Sequence, residues 1–223
     1  MQILHGIVFV VSSKDPKPDL LMLDKQLAFA KYLQVNALIV LNKTDLDLKK
    51  EFENIKKIYE NIGYKVIKTD AKKKEGIEEL KKALKNNISA FSGNSGVGKS
   101  SLINCIFDKS ITKEGEISKK NKSGKNTTTP IKLYEIDKDT YIADTPGFST
   151  FSIEEIPSKD LANYFQEFKS QIKNCEFIGC THIKEENCGI KKAIQDGKID
   201  KSRYERFCKI YQELKNKEER KKW

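Results

Sequence analysis

The sequence predicts an α/β fold: a mostly parallel sheet with helices on both faces, followed by a small, wholly helical C-terminal domain. Three observations carry this. Short apolar runs suited to strands buried on both faces alternate with helical periodicity through the first half. Strand–helix alternation of that kind implies parallel strands joined by covering helices. Beyond Phe151 the strand pattern stops, and a cysteine-rich knot interrupts an otherwise helical pattern. With 223 residues the chain can bury one sizeable core plus an appendage.

Taken in order, "IVFVV" (Ile7–Val11), "ALIVL" (Ala37–Leu41), "YKVIK" (Tyr64–Lys68) and "ISAFS" (Ile88–Ser92) read as strands. Between them Leu20–Leu33, Lys49–Ile62 and Ile77–Lys85 carry the helical period. "SLINCIF" (Ser101–Phe107) continues as a helix. Lys113–Pro130 has no period and is rich in Lys, Ser, Thr and Asn, so a long loop is expected. "IKLYEI" and "TYIAD" around "DKD" predict a hairpin. Ile153 to the end is expected to be helical apart from the knot, and a domain boundary is placed near Ile156–Pro157. That divides the chain into 1–156 and 157–223. No internal repeat is present.

Composition narrows the function classes. Charged residues are 33% and hydrophobic ones 38% of the chain, and no apolar run is long enough to cross a bilayer. No membrane association is expected. The opening apolar run lacks a preceding basic region and a small-residue cleavage site, so a buried strand is expected there rather than a signal peptide. Five cysteines without an export signal point to metal binding or burial rather than disulfides. The net charge of +10 favours a polyanionic partner through long-range attraction and counterion release.

"GNSGVGKS" fits G-x-x-x-x-G-K-S, with Gly93, Gly98, Lys99 and Ser100, between an apolar strand and a helix. Glycines let backbone amides wrap a phosphate, and the helix turns its positive end toward the anion. The loop Gly93, Asn94, Ser95, Gly96, Val97, Gly98, Lys99, Ser100 and Ser101 is the expected phosphate site. Lys99 reaches the β- and γ-phosphates in this reading, and the Ser100 hydroxyl is a Mg²⁺ ligand.

"DTPG" (Asp144–Gly147) ends a strand, where a carboxylate can hold Mg²⁺ through water and the Gly147 amide can sense a γ-phosphate. "NKTD" (Asn42, Lys43, Thr44, Asp45) follows another strand. Asp45 can accept two hydrogen bonds from guanine N1–H and its exocyclic amine, a donor pair that adenine lacks. The Lys43 stem can lie over the base. "DAKKKEGIEEL" offers Ala71 and Lys72 as a second base-contacting loop. GTP is the expected substrate.

The base-reading segment precedes the phosphate-reading one, a reversal that costs the site nothing. Function needs the loops together at the carboxyl ends of parallel strands, whichever strand comes first. The domain is therefore read as a circularly permuted P-loop GTPase domain. Cys175, Cys180, His182 and Cys188 are spaced C-x₄-C-x-H-x₅-C. Three thiolates and an imidazole make a closed tetrahedral Zn²⁺ site. Cys105 and Cys208 fall in helical patterns and are expected in the core.

Together, permuted "NKTD", "GNSGVGKSS", "TTT", "DTPGF" and the cysteine–histidine spacing resemble the RsgA (YjeQ) family, the small-subunit-dependent GTPases. The similarity covers nearly the whole chain and includes Cys188–Phe207. It implies a cytoplasmic bacterial GTPase that binds the 30S subunit and its rRNA late in maturation and hydrolyses GTP faster when bound; a monomer is expected. Members usually carry an N-terminal OB-fold that docks on rRNA, whereas this chain starts about where the GTPase domain would. Docking is then expected to rest on the zinc module and the basic surface.

The switch also departs from the family: "GKNTTT" (Gly124–Thr129) stands where "GRHTTT" is usual, so Asn126 occupies a histidine position associated with catalysis. Phe148 follows "DTPG" where many small GTPases have a water-orienting Gln. Slow intrinsic hydrolysis is expected, with the ribosome ordering Lys113–Thr129. Asn126, Thr128 and Gly147 are the catalytic candidates. Any of Thr127, Thr128 or Thr129 can be the switch ligand of Mg²⁺.

Overall fold

The computed structural model describes residues 4–107, 132–144 and 153–220. These residues divide into two units. The first contains a sheet of six strands: β1 (Gly6–Ser12), β2 (Asn36–Asn42), β3 (Lys65–Thr69), β4 (Ile88–Ser92), β5 (Lys132–Asp137) and β6 (Thr140–Asp144). Their order is β3-β2-β1-β4-β6-β5, all parallel except the β5–β6 hairpin. The mostly parallel sheet expected from the apolar runs is therefore present, with each strand within about a residue of its predicted bounds.

Parallel register does the positioning. It sets Ser12, Asn42 and Thr69 side by side at the carboxyl ends of β1, β2 and β3, and pairs Phe9 of β1 with Ser92 of β4. Helices α2 (Glu51–Asn61), α3 (Ile77–Leu84) and α4 (Lys99–Phe107) follow β2, β3 and β4. The Asp47 carboxylate starts α2 by accepting the amides of Glu51 and Phe52 at 2.9 and 3.1 Å. α3 places Glu78 and Glu79 in its first turn and Lys81 and Lys82 in its last, matching the helix dipole. Val8, Val10, Val40, Ile67, Leu80, Leu102 and Ile142 form a core at this sheet. Each contributes roughly 2 kcal/mol by leaving water.

The second unit joins residues 153–220 to α1 (Leu20–Tyr32), which lies between β1 and β2 in the chain. Its other helices are α5 (Gly189–Gln195) and α6 (Lys201–Arg220). Asp19 caps α1 by accepting the Met22 amide at 2.9 Å. Phe165, Phe168 and Phe207 form its aromatic centre, with ring centroids 4.8–5.3 Å apart. Arg203, 1% exposed, is ion-paired to Asp24 of α1 and to Glu167, and its guanidinium lies 4.9 Å from the Phe165 ring centroid.

The helical reading beyond Ile153 needs refinement. Residues 153–174 form short 3₁₀ turns, Ile153–Glu155, Ser158–Tyr164, Gln166–Phe168 and Ile172–Asn174, before α5 and α6 begin. Tertiary anchors override the helical period here. Glu218 of α6 takes both the amide and hydroxyl of Ser158 at 2.6 Å, and Gln166 donates to the Ile62 carbonyl at 2.7 Å. Phe165 and Phe168, both fully buried, draw the chain inward between these ties.

Candidate nucleotide site and metal centre

Three loops meet at the carboxyl ends of the sheet, and Asn42 joins them. This buried side chain donates to the Val97 carbonyl at 2.9 Å and accepts from the Thr69 hydroxyl at 3.0 Å. The Asn42–Asp45 loop is thereby tied to the glycine-rich loop before α4 and to the end of β3. Gly98 makes the approach possible. Its φ is +97°, and a Cβ there would stand 2.3 Å from Asn42 Nδ2. At Gly93, φ +146°, a Cβ would meet the Val10 carbonyl at 2.4 Å.

Lys99 turns its ammonium back into the loop, donating to the carbonyls of Gly93 and Asn94 at 2.7 and 2.9 Å. Burial holds its pKa below the ordinary lysine value. A polyphosphate beside it would supply the missing countercharge. On the base side, Lys43 has left-handed backbone, φ +63°, and begins the 3₁₀ turn Thr44–Leu46 that carries half-buried Asp45. Asp70 shapes the loop after β3 that holds Ala71 and Lys72. Its Oδ1 accepts the amides of Lys72 and Lys73 at 2.9 and 3.1 Å, and paired backbone bonds to Glu75 close the turn. Ala71 is half-buried and its carbonyl accepts the Cys105 thiol at 3.2 Å; Lys72 is exposed.

In the second unit the ligand atoms of Cys175, Cys180, His182 and Cys188 all lie within 4.8 Å of one another. His182 Nδ1 is 3.5 and 3.4 Å from the sulfurs of Cys175 and Cys188, which are 4.0 Å apart. Tetrahedral Zn²⁺ with bonds of about 2.3 Å to sulfur and about 2.05 Å to nitrogen has edges of about 3.8 and 3.6 Å. The donor set fits a metal ion of that size. Burial pushes the Cys180 thiol up to about 12, and the thiols of Cys188 and Cys175 add to this. A divalent cation reverses that balance by favouring thiolates. Burial also lowers the His182 pKa, outweighing the opposing effect of Glu185, so the imidazole is neutral and able to ligate.

A supporting shell surrounds these ligands. Tyr204 donates to the His182 carbonyl at 2.7 Å, and the Gly189 amide donates to Cys175 Sγ at 3.3 Å. Glu185 accepts from the Thr181 amide and hydroxyl and from the Ile183 amide. Burial alone would raise its pKa, but these bonds outweigh it and bring the carboxyl to about 2.

The profile of the RsgA GTPase family matches residues 4–154. The chain is 41% identical over 214 residues to the small ribosomal subunit biogenesis GTPase RsgA of Caldanaerobacter subterraneus subsp. tengcongensis, covering 96% of this chain and 72% of that protein. It is 42% identical over 212 residues to the protein of the same name from Thermotoga petrophila, covering 93% and 70%. The chain belongs to the RsgA GTPase family. The crystal structure of YjeQ from Thermotoga maritima superposes with a TM-score of 0.80 at 37% identity, over 95% of this chain and 71% of that one. The structure of YloQ, described as a circularly permuted GTPase, gives 0.79 at 25% identity, over 96% and 69%.

This RsgA-family chain is thus a GTPase with the permuted fold, and the reversed motif order is a property of that fold. Among the predicted site residues, the structure brings Asn42, Val97 and Gly98 together and folds Lys99 onto Gly93 and Asn94. Ser95, Gly96, Ser100 and Ser101 are exposed on the loop and the first turn of α4. Asp144 ends β6, where its backbone alone is described. Asn126, Thr127, Thr128, Thr129, Gly147 and Phe148 lie outside the described residues. Sequence reasoning missed Thr69, which holds Asn42 from β3, and Asp70, which shapes the loop that follows β3. The signal for Thr69 was a position opposite Asn42 at the end of an adjacent strand.

Proposed function

We propose that this chain hydrolyses GTP on the 30S ribosomal subunit during its late maturation, in the cytoplasm and as a monomer. The observation that carries the reading is the tie from Asn42 to Val97, which unites a base-reading and a phosphate-reading loop at one edge of the sheet. Relatives of about 40% identity bear the name small ribosomal subunit biogenesis GTPase, and the net charge of +10 suits an rRNA partner. No described helix is long and apolar enough to cross a membrane.

In this reading Asp45 selects guanine, Lys43 lies along the base, and Ala71 and Lys72 close the base pocket. The amides of Gly93–Ser101 cradle the phosphates, and Lys99 meets the β- and γ-oxygens. Ser100, one of Thr127–Thr129, and Asp144 through water hold Mg²⁺, which when bound neutralises charge on the transferring phosphoryl group. Gly147 senses the γ-phosphate. Cys175, Cys180, His182 and Cys188 hold structural Zn²⁺. The functional division falls near Ile156–Pro157, with 157–223 as the zinc-bearing part.

Slow turnover alone follows from Asn126 and Phe148, because neither supplies a resident base or the usual water-orienting amide. The ribosome then orders Lys113–Thr129 and completes the site. The decisive assay is GTP turnover with and without purified 30S subunits, for the wild type and Asn126→Ala. Stimulation of at least 100-fold by subunits is expected for the wild type, since groups supplied in trans elsewhere contribute about 10³–10⁵. Equal turnover in all four cases would remove the proposal. A non-hydrolysable GTP analogue should trap the protein on subunits; release at the same rate as with GTP would favour nucleotide-gated rRNA binding with little role for turnover.

A further inference from the structure

We propose that Ser13 is a positioning residue for guanine selection, and that Ser12–Pro16 forms a third wall of the nucleotide site. This rests on the assignment of Asp45 as the reader of guanine. No motif covers the segment "SSKDP", which follows β1, yet it holds Lys43 at both ends. The Ser13 hydroxyl donates to the Lys43 carbonyl at 2.6 Å, and the Lys43 ammonium donates to the Asp15 carbonyl at 2.5 Å. The Ser13 amide also donates to the Asn42 carbonyl at 3.3 Å.

These contacts matter because of what Lys43 does to the chain. Its left-handed backbone is disfavoured for a side chain with a Cβ and persists only where neighbours impose it. Lys43 is also the residue from which the turn carrying Asp45 departs. Fixing its carbonyl fixes the peptide plane leading into Thr44, and with it the direction in which Asp45 leaves the strand. The segment is itself braced, since buried Ser12 donates to the Pro16 carbonyl at 2.6 Å. It also abuts the phosphate loop: a Cβ on Gly96 would stand 3.5 Å from Pro16 Cδ. One short loop therefore touches the base-reading and phosphate-reading segments at once.

A hydroxyl that merely satisfied a carbonyl would affect stability without affecting base choice. The two roles separate when GDP is compared with IDP, which lacks the 2-amino group that Asp45 is assigned to bind. Calorimetric titration of the full chain with each nucleotide is the test. Ser13→Ala should weaken GDP about tenfold and IDP less than threefold, so the GDP/IDP ratio collapses. Ser13→Thr, which keeps the hydroxyl, should restore the ratio to within threefold of wild type. If Ser13→Ala does not fold, Ser13→Cys, a weaker donor of similar size, should give an intermediate ratio.

Parallel losses for both nucleotides, or an unchanged ratio in Ser13→Ala or Ser13→Cys, would overturn the role. The underlying assignment is tested separately with Asp45→Asn. Xanthine carries an oxygen where guanine has the amine, so this variant should shift preference from GDP to XDP. If that shift is absent, the reading of Asp45 fails, whatever Ser13 does.

Discussion

The nucleotide end of the sheet and the cysteine–histidine centre are built on opposite plans. At the first, backbone does most of the shaping: parallel register aligns Ser12, Asn42 and Thr69, and glycines allow contacts closer than any Cβ permits. At the second, side chains converge from turns too short to be stable alone, with His182 and Cys188 buried and Cys175 and Cys180 half-buried. A site made by sheet register stands before its ligand arrives. A site made by converging thiols would depend on a cation that favours their thiolates.

The largest expected effect tests that contrast directly. Removing metal with a chelator should abolish amide protection across residues 172–195 while leaving the central strands β1, β2 and β4 protected, as read by hydrogen exchange. Structural zinc sites contribute on the order of 10 kcal/mol or more of apparent folding energy. Persistent protection of 172–195 without metal would put both sites on the same plan.

Next in size is the ion-pair cluster of the second unit. Arg203→Met leaves nearly inaccessible Glu167 without its guanidinium and leaves Asp24, fully buried, with Arg206 in place of two arginines. It should destabilise that unit by about 3–5 kcal/mol in urea titrations followed by hydrogen exchange. GDP affinity should stay within threefold of wild type; a larger loss would show that the two sites share their stability.

Asn42→Ala probes the other side. It removes the bond to Val97 and leaves that carbonyl and the Thr69 hydroxyl without their partner atom. GDP affinity should fall about 10–100-fold, equivalent to roughly 1.4–2.8 kcal/mol. Protection of 172–195 should not change.

The smallest effect concerns Lys99. Its folded pKa lies below the unfolded value of 10.5, so in the window between them the unfolded chain binds more protons and stability rises with pH. Nucleotide-free wild type should therefore gain stability relative to Lys99→Met as pH is raised toward 10.5 in denaturant titrations. The opposite trend would mean the ammonium is already compensated by the carbonyls of Gly93 and Asn94.

How far sequence reached follows the same contrast. Apolar runs of five residues marked β1 and β2, where burial on both faces leaves no room for polar residues in alternation. Glycine and lysine spacing marked the phosphate loop, because the geometry excludes other residue types at Gly93 and Gly98. Ser13 and Thr69 were illegible. Their partners are 30 residues away for Ser13 and 27 for Thr69, and only strand order brings them close. The cysteine–histidine cluster was legible as chemistry, while the 3₁₀ turns leading to it were not. Those turns are set by Glu218, some 60 residues downstream of Ser158, and by buried phenylalanines that a local helical period cannot anticipate.

The membership of α1 in the second unit has a consequence for synthesis. Asp24 and its partner Arg203 are separated by 179 positions, so the helix emerges from the translating machinery long before the residues that cover it. Ala28 and its neighbours on that helix must wait for Phe207 and Ile210, which are made only with α6. A nascent fragment can finish the sheet early, but its first helix-forming segment, α1, stays exposed until α6 has been made. Premature termination anywhere before α6 would therefore yield a product with the apolar stripe of α1 uncovered, a natural target for chaperones and quality-control proteases.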